Sequence, residues 1–309
     1  MPRRALTPAE RLRQMHEWLA AAYGPQHWWP AETSFEVILG AYLTQNTSWK
    51  AVERSLANLR AASALSLAGI RKLSLPRLQE LIRPSGFYSR KAPAIKAFVA
   101  MLDREFAGSL KRLASAPTET LRDRLLALPG VGYETADAIL LYALQHPVPV
   151  ADAYLRRIAE RHGLIEYPLP HHASYNALVQ LTRAAFAADP ASSVPFLFNE
   201  FHALTVAVGK AHCSATPRCE GCPLARDPHT SLTDRITRSP ASNMAEGGIM
   251  EKTRPTHISP GGLQAPNQDQ DEDVVNDSLG TIDTADSTGS DSEKETGDAK
   301  TKNHNSHED

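Results

Sequence analysis

Apolar side chains recur along most of the chain at i, i+3, i+4 and i+7, the spacing that lines one face of an α-helix. Leu12, Met15, Leu19 and Ala22 form such a stripe early on, and Tyr175, Leu178, Val179, Thr182, Ala185 and Phe186 form another late in the chain. Strict apolar–polar alternation, the mark of a half-buried strand, is nearly absent. The punctuation suits helices of modest length. Ser34 and Thr118 are placed to cap helix starts, Gly24 and Gly108 to follow helix ends, and Pro30, Pro117, Pro147, Pro149, Pro190 and Pro195 to fall between periodic stretches. The pattern predicts an all-α architecture of about ten helices joined by short loops, without internal repeats.

The periodicity stops well before the sequence does. Residues 261–309 contain 13 acidic residues and 3 lysines among Ser, Thr, Asn and Gly, with few large apolar groups. Such a segment buries too little surface to offset its chain entropy, so 230–309 is expected to be a disordered acidic tail. Setting it aside changes the charge picture: the whole sequence carries 33 basic and 35 acidic residues, whereas residues 1–230 carry 26 and 19, a net charge of +7. A basic body suits a polyanionic partner, and the tail has the sign to compete with that partner or to aid solubility. No apolar run approaches the roughly 20 residues that span a bilayer, and MPRRALTPAERLRQ at the start lacks the apolar stretch of a secretion signal. A cytoplasmic protein with no membrane partner is expected. Three cysteines, all between residues 213 and 222, argue against an extracellular disulfide framework and for metal or thiol chemistry.

The densest candidate chemistry lies in residues 128–157, LPGVGYETADAILLYALQHPVPVADAYLRR. Gly130 and Gly132 permit backbone conformations closed to other residues, while Leu128 and Val131 are apolar enough to pin the turn on a core. A helix starting at Tyr133 would aim unpaired N–H groups outward from its positive end, an arrangement able to hold a phosphate of a nucleic-acid backbone without reading sequence. Used only for the bend, the same glycines would make an ordinary helix–helix loop. Asp152, about twenty residues on, stands where a carboxylate can cap a helix or, ionised, face a reacting centre.

Together these stretches resemble the superfamily of DNA glycosylases built on a helix-hairpin-helix followed by a Gly/Pro-rich loop and an Asp, most closely its endonuclease III-like branch. The likeness runs from about residue 34 through LTQN at 43–46 and GFYSRKA at 86–92 to PRCEGCPL at 217–224, and includes none of the tail. It implies a two-lobed helical body over 1–229: one lobe with the hairpin over about 32–150, a second from 1–31 with 151–212, and a cysteine loop at 213–229. It implies Asp152 as the catalytic carboxylate and Gln45 as the side chain that enters duplex DNA where a damaged nucleotide is extruded. Leu128, Gly130, Val131, Gly132 and Tyr133 would form the DNA-contacting hairpin, with Arg90, Lys91, Arg156 and Arg157 near the backbone. Trp28, Trp29 and Trp49 would either stack on a flipped base or fill the core.

Two departures from the family pattern matter. Where the endonuclease III branch carries a lysine that attacks the sugar, this chain has Glu134, and a carboxylate cannot form a Schiff base. The implied activity is therefore a monofunctional glycosylase, acting as a monomer on double-stranded DNA that contains a damaged, alkylated, base. Glu134 would assist a water, contact the lesion, or simply favour the helix dipole. A bifunctional glycosylase/lyase using another amine, a catalytically silent DNA-damage binding protein, and a general helix-hairpin-helix binding module are the alternatives. The second departure is in Cys213, Cys219 and Cys222, which resemble a loop that ligates a [4Fe–4S] cluster with four cysteines. Here the first spacing is one residue short and the fourth cysteine is missing near Pro228. His229 or Asp227 could substitute in a cluster, zinc could take three Cys and His229, or the thiols could be structural.

Overall fold

The fold, a computed structural model, describes residues 4–28 and 31–227. The expected acidic tail lies outside the described residues, as do Trp29, Pro30 and His229. The described chain is helical, with no strand among the described residues. The order is α1 (Pro8–Tyr23), α2 (Ser34–Leu43), α3 (Trp49–Ala61), α4 (Leu67–Lys72), α5 (Leu75–Leu81), a 3₁₀ turn (Arg83–Ser85), α6 (Tyr88–Phe106), α7 (Leu110–Ala114), α8 (Thr118–Leu126) and α9 (Tyr133–Ala138). A π-helical turn (Ile139–Ala143) continues α9, and α10 (Ala153–Arg161), α11 (His171–Ala185) and α12 (Val194–Ala211) follow.

Local chemistry explains where these helices start. Thr7 and Glu10 form a reciprocal capping box ahead of Pro8, with Thr7 N–H donating to Glu10 Oε2 (2.8 Å) and Glu10 N–H to Thr7 Oγ1 (3.2 Å). Two expected caps shift by one residue. Thr33, not Ser34, caps α2 by accepting from Glu36 N–H (3.2 Å). Pro117 occupies the cap position of α8, so Thr118 is the first helical residue and its Oγ1 meets His146 Nδ1 (2.8 Å) instead. Pro195 also lies inside the first turn of α12 rather than before it, where its missing N–H costs no hydrogen bond.

Packing follows the apolar patterns. α2 is buried all round, every residue after Ser34 being inaccessible, and it is the axis on which α3, α6, α9 and the π turn assemble. α1, α10, α11 and α12 form a second set, joined to the first where α12 meets the π turn. The α10–α12 approach is close: a Cβ at Gly209 would lie 2.3 Å from the Tyr154 ring, so only glycine fits there. The Glu200 carboxylate on α12 accepts from the backbone N–H groups of Gln26 (2.7 Å) and His27 (3.0 Å), which draws the chain after α1 over α12 and seats Trp28 in the core.

Candidate active site

The turn between α8 and α9 is fixed from three sides. Gly130 has φ +72°, the left-handed region where glycine avoids the Cβ penalty. Gly132 differs from the expectation: at φ −95° and ψ 178° it is extended backbone open to any residue, and it serves as the cap residue of α9. Val131 is buried and Leu128 packs on the core, leaving Pro129 and Gly130 exposed at the tip. Behind the tip, Asp137 is fully buried and accepts from Arg122 Nε (2.6 Å), Arg122 Nη2 (3.0 Å) and Tyr175 Oη (2.6 Å). Burial pulls its carboxyl upward, and the bonds from Arg122 and Tyr175 oppose that pull. Tyr133 lies between the Arg122 guanidinium (5.3 Å to the ring centre) and the rings of His172 (4.9 Å) and Tyr175 (5.4 Å).

Gln45 leans on this turn. Its Nε2 donates to Gly130 O (2.8 Å) and Thr135 Oγ1 (2.9 Å), and the following Asn46 takes a left-handed φ of 50° that asparagine tolerates. The structure therefore brings Gln45 together with the hairpin although 85 residues separate it from Gly130. Lys91 does not join the exposed charges. It is 3% exposed, and its Nζ donates to Leu43 O (2.8 Å) and Ser85 O (2.7 Å), tying the end of α2 to the 3₁₀ turn. Burial pushes its ammonium pKa down to about 7. The expectation that it grips DNA is corrected.

Asp152 caps α10, accepting from Leu155 N–H through Oδ1 (2.8 Å). The residue is 2% exposed, and its Oδ2 has no hydrogen-bond partner among the described residues. His202 Nε2, on α12, stands 3.5 Å from that oxygen and is likewise unpartnered, while His202 Nδ1 is hydrogen-bonded to the Tyr142 hydroxyl. Tyr142 projects from the π turn, where Leu144 N–H reaches back five residues to Ile139 O (3.2 Å), a widened turn of the kind often found at functional sites. Burial pushes the Tyr142 hydroxyl pKa up, and the nearby charges of Asp152, Glu200 and Glu134 push it further. Glu134, 7% exposed, lies in the first turn of α9, and its charge reaches the Tyr142 hydroxyl. Trp28 lies edge-on to His202 (4.8 Å between centres) and Tyr142 (5.8 Å), and Trp49 is buried elsewhere with Nε1 on Glu53 (2.9 Å). Both fill the core. Sequence reasoning missed His202 and Tyr142. The signal for His202 was present in VPFLFNEFHALTVAVG, where Glu200 and His202 interrupt a helix that is apolar on every side.

The cysteine loop is held by other means than the expected donor set. Cys213 is buried and its Sγ accepts from Arg161 Nη1 (3.0 Å). Burial pushes the Cys222 thiol pKa up, with Cys213 and Cys219 close enough to add to the effect. Asp227 is not available as a fourth ligand. Arg11 Nε (3.1 Å) and Nη2 (2.5 Å) and His162 Nδ1 (2.9 Å) all meet its carboxylate, and although burial pulls its pKa up, these bonds hold it below the usual range. Among the described residues no group of three or more His, Cys, Asp or Glu is placed to hold a metal ion. The described residues supply the three cysteines, and His229, the expected fourth ligand, lies outside them.

Residues 39–181 match the family model described as HhH-GPD superfamily base excision DNA repair protein. The chain is 38% identical over 217 residues to MJ1434 of Methanocaldococcus jannaschii, which is assigned by name to the DNA repair glycosylases, covering 70% of this chain and 94% of that protein. The structure of H. pylori 3-methyladenine DNA glycosylase (MagIII) bound to 1,N6-ethenoadenine superposes with a TM-score of 0.56 at 30% identity, covering 67% of this chain and 98% of that one. A trapped endonuclease III–DNA covalent intermediate superposes with a TM-score of 0.57 at 22% identity over 75% of this chain and all of that one, a likeness of fold. No helix among the described residues is long and apolar enough to cross a membrane. With residues 39–181 matching the family model and 38% identity to a DNA repair glycosylase over 94% of that protein, the chain belongs to the HhH-GPD superfamily of base excision DNA repair proteins and is a DNA glycosylase.

Proposed function

We propose that this glycosylase is monofunctional and hydrolyses the N-glycosidic bond of an alkylated base in duplex DNA. The single observation that carries the reading is Glu134, buried in the first turn of α9, which by the family resemblance stands where endonuclease III-like enzymes carry the attacking lysine. Asp152 is the catalytic residue. As the C1′–N bond breaks and its electrons leave with the base, the ionised carboxylate stabilises positive charge on the sugar. Water then bonds to C1′, and its proton passes to Asp152. A cationic alkylated base departs as a neutral molecule, so it needs no general acid. The MagIII likeness, at 30% identity, supports an alkylated-purine substrate.

The two helix sets act as two lobes, 32–150 and 1–31 with 151–212, and DNA lies across the mouth between them as substrate of a monomer. Hairpin residues Leu128, Gly130, Val131, Gly132 and Tyr133 hold the phosphate backbone, and Gln45, released from Gly130 and Thr135, fills the space left by the extruded nucleotide. No step runs through a metal cluster. A catalytically silent binding protein would have no use for a carboxylate kept buried at a helix start with one oxygen unpartnered, and no observation favours a lyase over a hydrolase.

The test is borohydride added during turnover on a panel of duplexes, each with one damaged or mismatched base. An alkylated purine should be released with the strand intact until alkali is added, and no protein–DNA adduct should survive denaturation. A stable crosslink lost on mutating one lysine, such as Lys210, would overturn the monofunctional reading.

A further inference from the structure

Two buried polar atoms in one dry region, Asp152 Oδ2 and His202 Nε2, face each other at 3.5 Å with no other hydrogen-bond partner among the described residues. Leaving either unsatisfied costs about 1–3 kcal/mol, so such atoms persist where something is gained in another state of the protein. The separation exceeds a good hydrogen bond by only about half an ångström, and catalytic hydrogen bonds are commonly long before substrate binds. The other ring nitrogen is already committed to the Tyr142 hydroxyl. We propose that His202 is the positioning residue of the glycosylase: Tyr142 donates to Nδ1 and so leaves the proton on Nε2, which closes on Asp152 Oδ2 and aims the carboxylate at the sugar. With Oδ1 held by Leu155 N–H, both oxygens are then fixed and the carboxylate cannot rotate.

The surroundings favour this tautomer. From the π turn, the Tyr142 hydroxyl keeps its proton, since burial and three carboxylates push its pKa up. From α10 the facing group is Asp152, from α9 Glu134 acts through Tyr142, and from α12 itself Glu200 is turned to the backbone of Gln26 and His27. From α1, His16 lies against Phe186 and Phe201. The Trp28 ring closes the remaining side of His202. A protonated imidazole would place a positive charge beside the one carboxylate that must oppose the developing sugar cation.

The catalytic part of this proposal rests on the monofunctional reading above, and the experiment separates the two. In the first arm, ¹⁵N-labelled histidine is observed by NMR in the full chain without DNA. His202 should be the Nε2–H tautomer, and its Nε2 resonance should move in Asp152→Asn, which keeps the helix cap and removes the charge facing that nitrogen. An Nδ1–H tautomer, or an Nε2 resonance unchanged in Asp152→Asn, would overturn the pair. In the second arm, base release from dimethyl-sulfate-methylated duplex is followed from pH 4 to 9. His202→Leu should lose at least about tenfold in kcat with KM little changed, while His202→Gln, which restores a donor that does not titrate, should recover most of the rate at pH 8. Its pH–rate profile should differ from that of wild type on the acid side. Tyr142→Phe, available if the His202 variants fail to fold, should also displace the acid limb. Wild-type kcat and acid limb retained in both His202→Leu and Tyr142→Phe would overturn the positioning role. Because the NMR arm needs no substrate, an inactive wild type on the methylated duplex would count against the proposed function and not against the pair.

Discussion

Replacing Asp137 by alanine tests whether the hairpin is held from behind as its geometry indicates. The carboxylate is fully buried and accepts two bonds from Arg122 and one from Tyr175, which together fasten α9 to α8 and α11. Truncation leaves a half-buried guanidinium and a buried phenol without their acceptor, a loss of about 3–5 kcal/mol for breaking one partner of a buried pair. For a folded body of this size, where 1 kcal/mol moves Tm by about 2–4 °C, the melting temperature should fall by about 6–20 °C. Tyr175→Phe removes one bond to a charged acceptor and should cost about 1.5–3 kcal/mol. The exposed pair Arg71–Asp103 is the control: its guanidinium meets Asp103 through contacts of 3.1, 3.0 and 2.5 Å, yet solvent screens it, and Asp103→Ala should cost less than about 1 kcal/mol. Circular dichroism melts of the three variants give the comparison. A Tm for Asp137→Ala within 2 °C of wild type, or no greater loss than for Asp103→Ala, would refute the reasoning.

Other outcomes are expected from single positions. Gly130→Ala should cost about 1–2 kcal/mol because its φ of +72° is disfavoured with a Cβ, while the extended backbone at Gly132 makes no such demand; equal losses in denaturant melts would contradict this. Lys91 is held near pKa 7 when folded, below its unfolded value, so the unfolded chain binds more protons between about pH 7 and 10.5 and stability rises with pH across that window. The difference between wild type and Lys91→Met should show that slope, and a flat difference would show that the two carbonyls keep the ammonium charged. If three cysteines and a substitute ligand suffice, anaerobically purified protein should hold bound iron, and protein without iron or sulfide would contradict this. Broad absorbance near about 400 nm with bound iron would mean that a ligand outside the described residues completes the set.

The helical class and most element positions were legible because the 3.6-residue period is set by which side chains must face a core, and α2 and α12 announce themselves as runs apolar all round. The caps slipped by one where Thr33 precedes Ser34 and Pro117 precedes Thr118, since either neighbour satisfies the local rule and tertiary packing decides. The π turn was invisible, because ILLYA reads as ordinary helix and the extra residue is accommodated through contacts with α2, α8 and α12. Asp152 at a helix start was readable from its neighbours. His202 facing it was not, as that meeting depends on how closely Gly209 lets α12 approach α10. Lys91 was misread for the same kind of reason: nothing in GFYSRKA reveals that the carbonyls of Leu43, at the end of α2, and Ser85, in the 3₁₀ turn, converge on its amine.

The central claim is that Asp152 carries out base release, and Asp152→Asn tests it most directly. The amide keeps an oxygen able to accept from Leu155 N–H at the start of α10, so folding and duplex affinity should remain close to wild type. What it loses is the negative charge opposite C1′, so release of free base from dimethyl-sulfate-methylated duplex, measured by chromatography under single-turnover conditions, should fall by at least about a hundredfold. Release at a rate near that of wild type, from a variant that is folded and binds the same DNA, would remove Asp152 from the mechanism.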